Sequence, residues 1–362
     1  MRRSRVFLIT LALAACTNRQ SEPQTPLGRA AEFLWRQQGE DGGWHSRTYG
    51  LLRTGQSLTP FVLVGLLEVP SSAYLTPRDK VNRAIEFIRN HVRSDGSAGM
   101  EDPTVPDYPN YATALSISAL AKAQRGGWEK QVAPMIAYLR TQQFAAQNSW
   151  QPQDPAFGAW GMGGGRRTPP DTGHVDLSMT RYVIEAFRAA GVPTSDPALV
   201  AARVFVERCQ NYQAQEPGTR DGGFFFSTTE FDTNKAGHDG KTYRSYGTTT
   251  ADGILALTAL GAMPDNPRLA AAGRWLAARH HGIRTPGFTG EPYQRWIQGL
   301  AFYYSAASTA AFQVAGMGSA PGVAEDLRKL QKPDGSWANL EKLVKEDDPL
   351  IATGFAVRAL AR

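Results

Sequence analysis

The chain has 362 residues, 42% hydrophobic and 20% charged, with 36 glycines and 23 prolines. That balance excludes a disordered or collagen-like chain, and two cysteines exclude a disulfide-rich scaffold. The formal charge of +6 would suit an acidic partner such as nucleic acid, but the placement of the charges argues otherwise.

Residues 1–15 read as an export signal: Arg2, Arg3 and Arg5 precede an apolar run from Val6 to Leu13. The run is too short to cross a bilayer, which takes about 20 apolar residues. Leu13-Ala14-Ala15-Cys16 resembles a bacterial lipobox, which implies acylation of Cys16 and a chain anchored in the cell envelope. It would face the periplasm, on the outer membrane rather than the inner where there are two. Removal of the three arginines takes the charge from +6 to +3 over the remaining 347 residues, so no nucleic-acid partner is expected. Residues 16–26 are polar, with Pro23 and Pro26, and read as a tether to a single domain spanning 27–362.

A degenerate repeat runs through that domain at intervals of roughly fifty residues, lengthened by insertions. The first copy is Phe33-Leu34, Gln38, Gly42 and Trp44; the last, Leu327, Gln331, Gly335 and Trp337, has the same spacing. Between them, Phe87-Ile88 with Val92, Gly96 and Ala98 lacks the glutamine, and Tyr138-Leu139, Gln143 and Trp150 carries an extra residue. Phe205-Val206 and Gln210 run into a longer loop before Phe224, and Trp275-Leu276 with His280 and Phe288 is the most eroded copy. Each copy closes an amphipathic helical pattern, and Gly in the Asp-Gly-Gly or Asp-Gly-Ser that follows supplies a helix stop.

A more apolar helical segment follows each stop: 58–67, 111–123, 175–190, 248–262, 295–314 and 350–361. Helices apolar nearly all round must be buried on most sides, so six of them should form an inner layer within six amphipathic ones. The expectation is an all-α double layer, closed on itself because the first and last copies are the best preserved.

The frame of aromatic-aliphatic, Gln and Gly-x-Trp resembles the QW motif of the squalene-hopene cyclase and protein prenyltransferase superfamily. Asp176–Thr180, Phe205–Asn211, Ser245–Thr250 and Asp347–Thr353 are similar to segments of bacterial secreted prenyltransferase/squalene oxidase repeat proteins. The resemblance spans residues 27–362 and implies an (α/α)6 toroid. It also implies that the Gln amides and Trp rings tie neighbouring repeats together, a structural role for Gln38, Trp44, Gln143, Trp150, Gln331 and Trp337.

The catalytic sets of that superfamily are broken. A cyclase needs Asp-x-Asp-Asp-Thr to protonate an alkene; with Thr180 on the last position, Asp176 fills the first but Ser178 and Met179 replace the next two carboxylates. A prenyltransferase holds zinc through Asp, Cys and His; here Asp221-Gly222-Gly223 lacks the Cys and Ala352 precedes Thr353 where the His belongs. Cys209 reads as a small buried residue, adjacent His280 and His281 point to different helix faces, and the expectation is no metal and no cofactor.

What remains lies where the inner helices begin, since unpaired N–H groups there suit polar or anionic ligands. Trp160, His174, Tyr246, Tyr293, Trp296 and Tyr303 are the candidate ligand-binding residues and Asp176 and Asp252 the candidate catalytic carboxylates. Asp176 and Thr248 also stand where helix caps are wanted. The loop 225–246 is long enough to expect a functional role. The first reading is a cavity-binding toroid for a small or lipid-like ligand. The alternatives are an enzyme acting on a lipid, isoprenoid or glycan through rim carboxylates, and a protein-interaction scaffold.

Overall fold

Six times along the chain an amphipathic helix hands over to an apolar one. The computed structural model describes residues 25–99, 108–213, 220–229, 232–238, 242–291 and 293–362. The export signal, Cys16 and most of the tether lie outside the described residues. The amphipathic helices are α1 (Pro26–Arg36), α3 (Arg78–Asn90), α5 (Trp128–Gln142), α7 (Pro197–Arg208), α9 (Pro267–Arg279) and α12 (Val323–Leu330). The apolar ones are α2 (Leu58–Leu66), α4 (Pro109–Ala123), α6 (Leu177–Ala189), α8 (Gly247–Ala259), α11 (Ala301–Val314) and α13 (Pro349–Leu360), with a short α10 (Arg295–Gly299) before α11.

Every residue of α2 is buried, and α8, α11 and α13 are buried on nearly all faces. A helix with no polar side packs only inside, so these helices form the inner layer. They touch in the order α2, α4, α6, α8, α11 and α13, and α13 returns to α2. The outer helices wrap this ring, and among the described residues there are isolated β-bridges but no strand. The architecture is an (α/α)6 toroid.

The repeated turn explains why the ring closes. Gln38 donates both amide hydrogens, to Gly42 O at 2.9 Å in its own turn and to Lys80 O at 2.8 Å at the start of the next outer helix. Trp44 Nε1 donates to Leu34 O at 2.7 Å, satisfying a carbonyl in the last turn of α1, and its backbone N–H donates to Thr59 Oγ1 of α2 at 2.9 Å. Gln143 bonds Gly158 O and Ala198 O, and Gln210 bonds Gly222 O and Arg268 O. Gln331 bonds Gly335 O and, at 2.8 Å, Pro26 O of α1, which joins the last repeat to the first.

Two copies differ from the sequence reading. In the third, Trp160 rather than Trp150 holds the aromatic position: its Nε1 donates to Leu139 O at 2.7 Å and its N–H to Thr180 Oγ1 at 3.2 Å. Trp150 sits in the inserted loop, stacked near Phe144 and bonded to Arg167 O. In the fifth, His280 stands at the glutamine position as the sequence reading has it, with Nε2 3.0 Å from Pro321 O and Nδ1 2.7 Å from Tyr304 OH. The fifth inner segment, however, is broken at Leu300. The Phe302 and Tyr303 N–H groups bond the Glu346 carboxylate, so α11 begins afresh instead of continuing α10.

The repeat glycine permits the close approach of neighbouring outer helices. At Gly158, φ is +90° and a Cβ would stand 1.9 Å from Ala201 O; Gly191, with φ +81°, has nothing within 4 Å. Gly191→Ala is expected to cost about 1–2 kcal/mol, the left-handed backbone term alone. Gly158→Ala should cost about 2–5 kcal/mol, because overpacking adds to that term. Urea denaturation of the two variants checks this, and equal losses would show that backbone contact is not what fixes the glycine.

Candidate functional site

The amino ends of the inner helices converge on a cavity of about 310 Å³. Leu58 and Phe61 of α2, Tyr111 and Leu115 of α4, Met179 of α6 and Ile351 and Phe355 of α13 line it, together with Met162, Phe226 and Leu343 from loops. Phe355 meets Phe61 edge-on at 4.8 Å between ring centroids and stacks against Tyr303 at 5.2 Å. Pockets of this size with mostly apolar walls and a few convergent polar groups are the usual sites for small ligands.

The polar groups gather at two levels. At the mouth stand Asp176, Thr248, Lys235 and Lys345. Asp176 Oδ1 accepts from Met179 N at 2.7 Å and so caps α6, while its Oδ2 lies 2.9 Å from His174 Nε2. Lys235 lies 3.4 Å over the Phe226 ring, and Lys345, held at φ +65°, faces Tyr49 and Tyr108 at 5.8 and 5.9 Å. The loop bearing Lys345 is pinned on its far side by three acids. Glu346 accepts from the first turn of α11, Asp347 from Tyr49 OH at 2.5 Å and Asp348 from Ser46 Oγ at 2.5 Å.

Deeper in the ring, Asp252 is fully buried. Its Oδ2 accepts from Ser178 Oγ at 2.5 Å and Tyr303 OH at 2.6 Å, both cavity-lining residues. Arg181 Nε approaches Oδ1 to 3.1 Å as a charge contact without hydrogen-bond geometry, and Arg181 also pairs with Glu185 at 2.8 Å. Burial raises the Asp252 carboxyl above its ordinary range against the pull of Arg181, Ser178 and Tyr303. Burial likewise lifts the Tyr303 hydroxyl well above its usual value, which keeps it a donor. A buried carboxyl with two hydroxyls bridging it to an apolar cavity is chemically able to hold or pass a proton.

Of the residues expected at this site, Asp176, Tyr246, Thr248 and Tyr303 line the cavity. Asp252 reaches it only through Ser178 and Tyr303, so it is not a rim group. Trp160 is fully buried in its repeat turn and Thr180 accepts its N–H, so neither faces a ligand. Tyr293 packs over Gly237 and Trp296 near Lys235, in a separate hydrophobic cluster under the long loop. Thr248 lies inside the first turn of α8, whose start has no side-chain cap. Sequence reasoning missed Phe61, Leu115, Met179 and Phe355, because inner helices apolar on every face give no sign of which face meets the cavity. Arg181 was also missed, although a charged residue within an apolar segment is a readable signal, and so was Glu346, whose role is a contact distant in sequence.

The prenyltransferase-like positions are used for packing. Asp221 accepts from Trp275 Nε1 and Ser245 Oγ, both at 2.8 Å, and a Cβ on Gly223 would stand 2.6 Å from Ser245 Cβ. Among the described residues no group of three His, Cys, Asp or Glu side chains could share a metal ion. Cys209 is fully buried and burial raises its thiol well above the usual range, which makes it a poor nucleophile.

Comparison with solved structures gives likenesses over nearly the whole chain. The type II terpene cyclase MstE from Scytonema matches with a TM-score of 0.56 and 16% identity, covering 93% of this chain and 96% of that one. A D-mannose isomerase matches with a TM-score of 0.56 and 13% identity over 92% and 96%. The glucuronyl hydrolase UGL with dGlcA-Glc-Rha-Glc matches with a TM-score of 0.60 and 13% identity over 92% and 94%. The chain has the fold of the terpene-cyclase-like toroids. No family model and no curated protein matches the sequence. At these identities the toroid's likeness extends to fold and not to chemistry.

Glu346 makes the site's pH dependence readable. Burial pushes its carboxyl up from 4.5 to about 7, against the Tyr303 and Phe302 N–H groups and Asn339. Between these values the folded chain holds a proton that the unfolded chain has released. The stability this group contributes is therefore complete below pH 4.5 and is lost as pH rises through about 7. Melting temperatures across this window should fall more steeply for the native chain than for Glu346→Gln, with Asp252 acting equally in both. Parallel profiles would show that Glu346 titrates normally.

Proposed function

We propose that the toroid binds an amphiphile with an apolar chain and an anionic head. The chain lies in the 310 Å³ cavity, between Phe61, Leu115 and Phe355. The head sits at the mouth beside Lys235 and Lys345. The observation that carries this reading is an apolar interior whose lining also includes two lysines, Lys235 and Lys345, from separate loops. Three inner-helix starts already meet carboxylates of the chain itself: Asp176 on α6, Glu346 on α11 and Asp348 on α13. The starts of α2, α4 and α8 have no side-chain cap; one N–H in each first turn goes to a backbone carbonyl, of Gly55, Met162 and Pro286, so no carboxylate of the chain opposes the helix dipole there.

A fluorescent farnesyl probe should bind saturably and be displaced better by farnesoic acid than by farnesol. Leu115→Trp, which fills the cavity, should abolish binding of both, and Lys345→Gln should remove the preference for the acid. Binding that survives Leu115→Trp would locate the ligand elsewhere. The Ser178–Asp252–Tyr303 contact favours a second reading, acid/base chemistry on the bound molecule. If mass spectrometry finds the probe converted by the native chain and intact with Asp252→Asn, catalysis replaces simple binding.

The same reading places the chain on an envelope membrane through acylated Cys16. Its support is the signal-like segment and the Leu-Ala-Ala-Cys sequence at 13–16. Radiolabelled palmitate should enter the expressed native chain and not Cys16→Ser, which should leave the membrane fraction. Equal labelling of both would remove the anchor. A protein-interaction scaffold has no comparable supporting feature.

A further inference from the structure

The ring has a second opening. The carboxyl ends of the inner helices surround a cavity of about 460 Å³, separated from the first by the layer that contains Tyr303 and Arg181. The inner helices serve both chambers from one face: on α13, Ile351 and Phe355 line the first, and Arg358 and Arg362, further along the same stripe, line the second. Among the described residues one side chain, that of Tyr303, lines both.

Tyr303 is held from three sides. Its hydroxyl donates to Asp252 Oδ2 at 2.6 Å and lies 3.0 Å from Ser178 Oγ, its ring stacks on Phe355 at 5.2 Å between centroids, and its N–H is bonded to Glu346. A ring fixed at its tip, its face and its backbone is a rigid wall rather than a free rotamer. On the same face of α11, at the third, fourth and seventh residues beyond it, come Ala306, Ala307 and Ala310, all lining the second chamber. Ala310 lies about 10 Å further along the helix axis. The Tyr303 ring is therefore the one large side chain of this stripe between the first chamber and a run of alanines.

We propose that the Tyr303 ring is the floor of the amphiphile site and sets the length of chain the site accepts, with a limit near farnesyl. The assignment rests on the amphiphile reading above. A cavity of about 150 Å³ takes one benzene molecule, so about 310 Å³ holds a chain of about a dozen carbons. A longer chain would have to displace a packed ring or fold back within a filled chamber, and both overpack the site. Without the ring, the chain runs on over Ala306 and Ala307 into the second chamber.

The test is displacement of the fluorescent farnesyl probe from the full chain by geranic, farnesoic and geranylgeranoic acids, each below its micelle-forming concentration. With the native chain, affinity should rise from geranic to farnesoic acid and fall about ten-fold or more for geranylgeranoic acid. Tyr303→Ala should reverse that last step, and Tyr303→Leu, which also shortens the floor, serves if Tyr303→Ala does not fold. Tyr303→Phe, which keeps the ring and loses the hydroxyl, should keep the cut-off. Adding Ala306→Leu to the truncated variant should restore the cut-off, since it fills the space that truncation opens. Absence of saturable probe binding would overturn the amphiphile reading and this assignment with it. Saturable binding with equal affinity for farnesoic and geranylgeranoic acids, a cut-off unmoved in a folded truncated variant, one lost in Tyr303→Phe, or a gain that survives Ala306→Leu would overturn the role of the Tyr303 ring and leave the amphiphile reading standing.

Discussion

One side-chain amide sets the geometry of this protein. A glutamine at the end of an outer helix has two hydrogens to donate. In four of the six repeats one goes to its own turn and the other to the first residues of the next outer helix. A donor satisfied on both sides fixes the angle between successive hairpins, and leaving either carbonyl unpaired would cost part of a buried hydrogen bond. The repeat aromatic adds the radial direction, since its backbone N–H reaches a threonine on the following inner helix. Six such steps return to the start only if the last glutamine finds the first helix, as Gln331 does at Pro26. The eroded copies show what the interaction requires. Where His280 replaces the amide, its ring still reaches Pro321 O, but the second contact passes to the Tyr304 hydroxyl.

Closure has a consequence for the interior. Six inner helices entering the ring in the same direction put all their amino ends at one mouth and all their carboxyl ends at the other. Side-chain size then determines where space remains along the axis. Aromatic and long aliphatic residues narrow the first half into an apolar chamber, and alanines leave the second half wide enough for charged side chains and solvent. Tyr303 borders both chambers, and its hydroxyl lies on the Asp252 oxygen that Ser178 also reaches. A carboxylate buried at that boundary is costly unless its acceptor sites are filled. The two hydroxyls fill Oδ2, while Oδ1 has only the charge contact with Arg181 and no hydrogen bond, and these groups together form the polar partition between the chambers.

The alternation of amphipathic and apolar helices, the six-fold count and the closing contact were all legible in the sequence, because each rests on local patterns such as Gln331 and Trp337 at fixed spacing. Trp160 was legible too, since Gly158-Ala159-Trp160 repeats the Gly-x-Trp of Gly42–Trp44; fourteen residues between Gln143 and Gly158, where the first copy has three between Gln38 and Gly42, drew the reading to Trp150 instead. Asp252 could be singled out as a carboxylate in an apolar helix, but not its depth, which depends on how far α8 extends beyond the mouth. The role of Glu346 was not legible at all. It caps α11 from a loop more than forty residues away in sequence, and no local pattern encodes such a contact.

The differences from the known chemistries follow the same packing logic. Where a cyclase would place carboxylates, Ser178 hands a hydrogen bond to Asp252 on the neighbouring helix, and Met179 turns its side chain into the apolar wall. Where a prenyltransferase would place a zinc-binding cysteine, Gly223 leaves no room for any Cβ, and the preceding Asp221 is committed to Trp275 and Ser245. The buried acid of the chamber is Asp252 on α8, beside the Arg181 guanidinium of α6. A carboxyl paired with Arg181 holds its proton less firmly than an isolated buried one, while burial pulls in the opposite direction. Its raised position shows burial prevailing, so protons at this boundary are governed by exclusion of water from the ring. A molecule that fills the apolar chamber meets Asp252 only through the Ser178 and Tyr303 hydroxyls, so any influence on the buried carboxyl passes through those two hydrogen bonds.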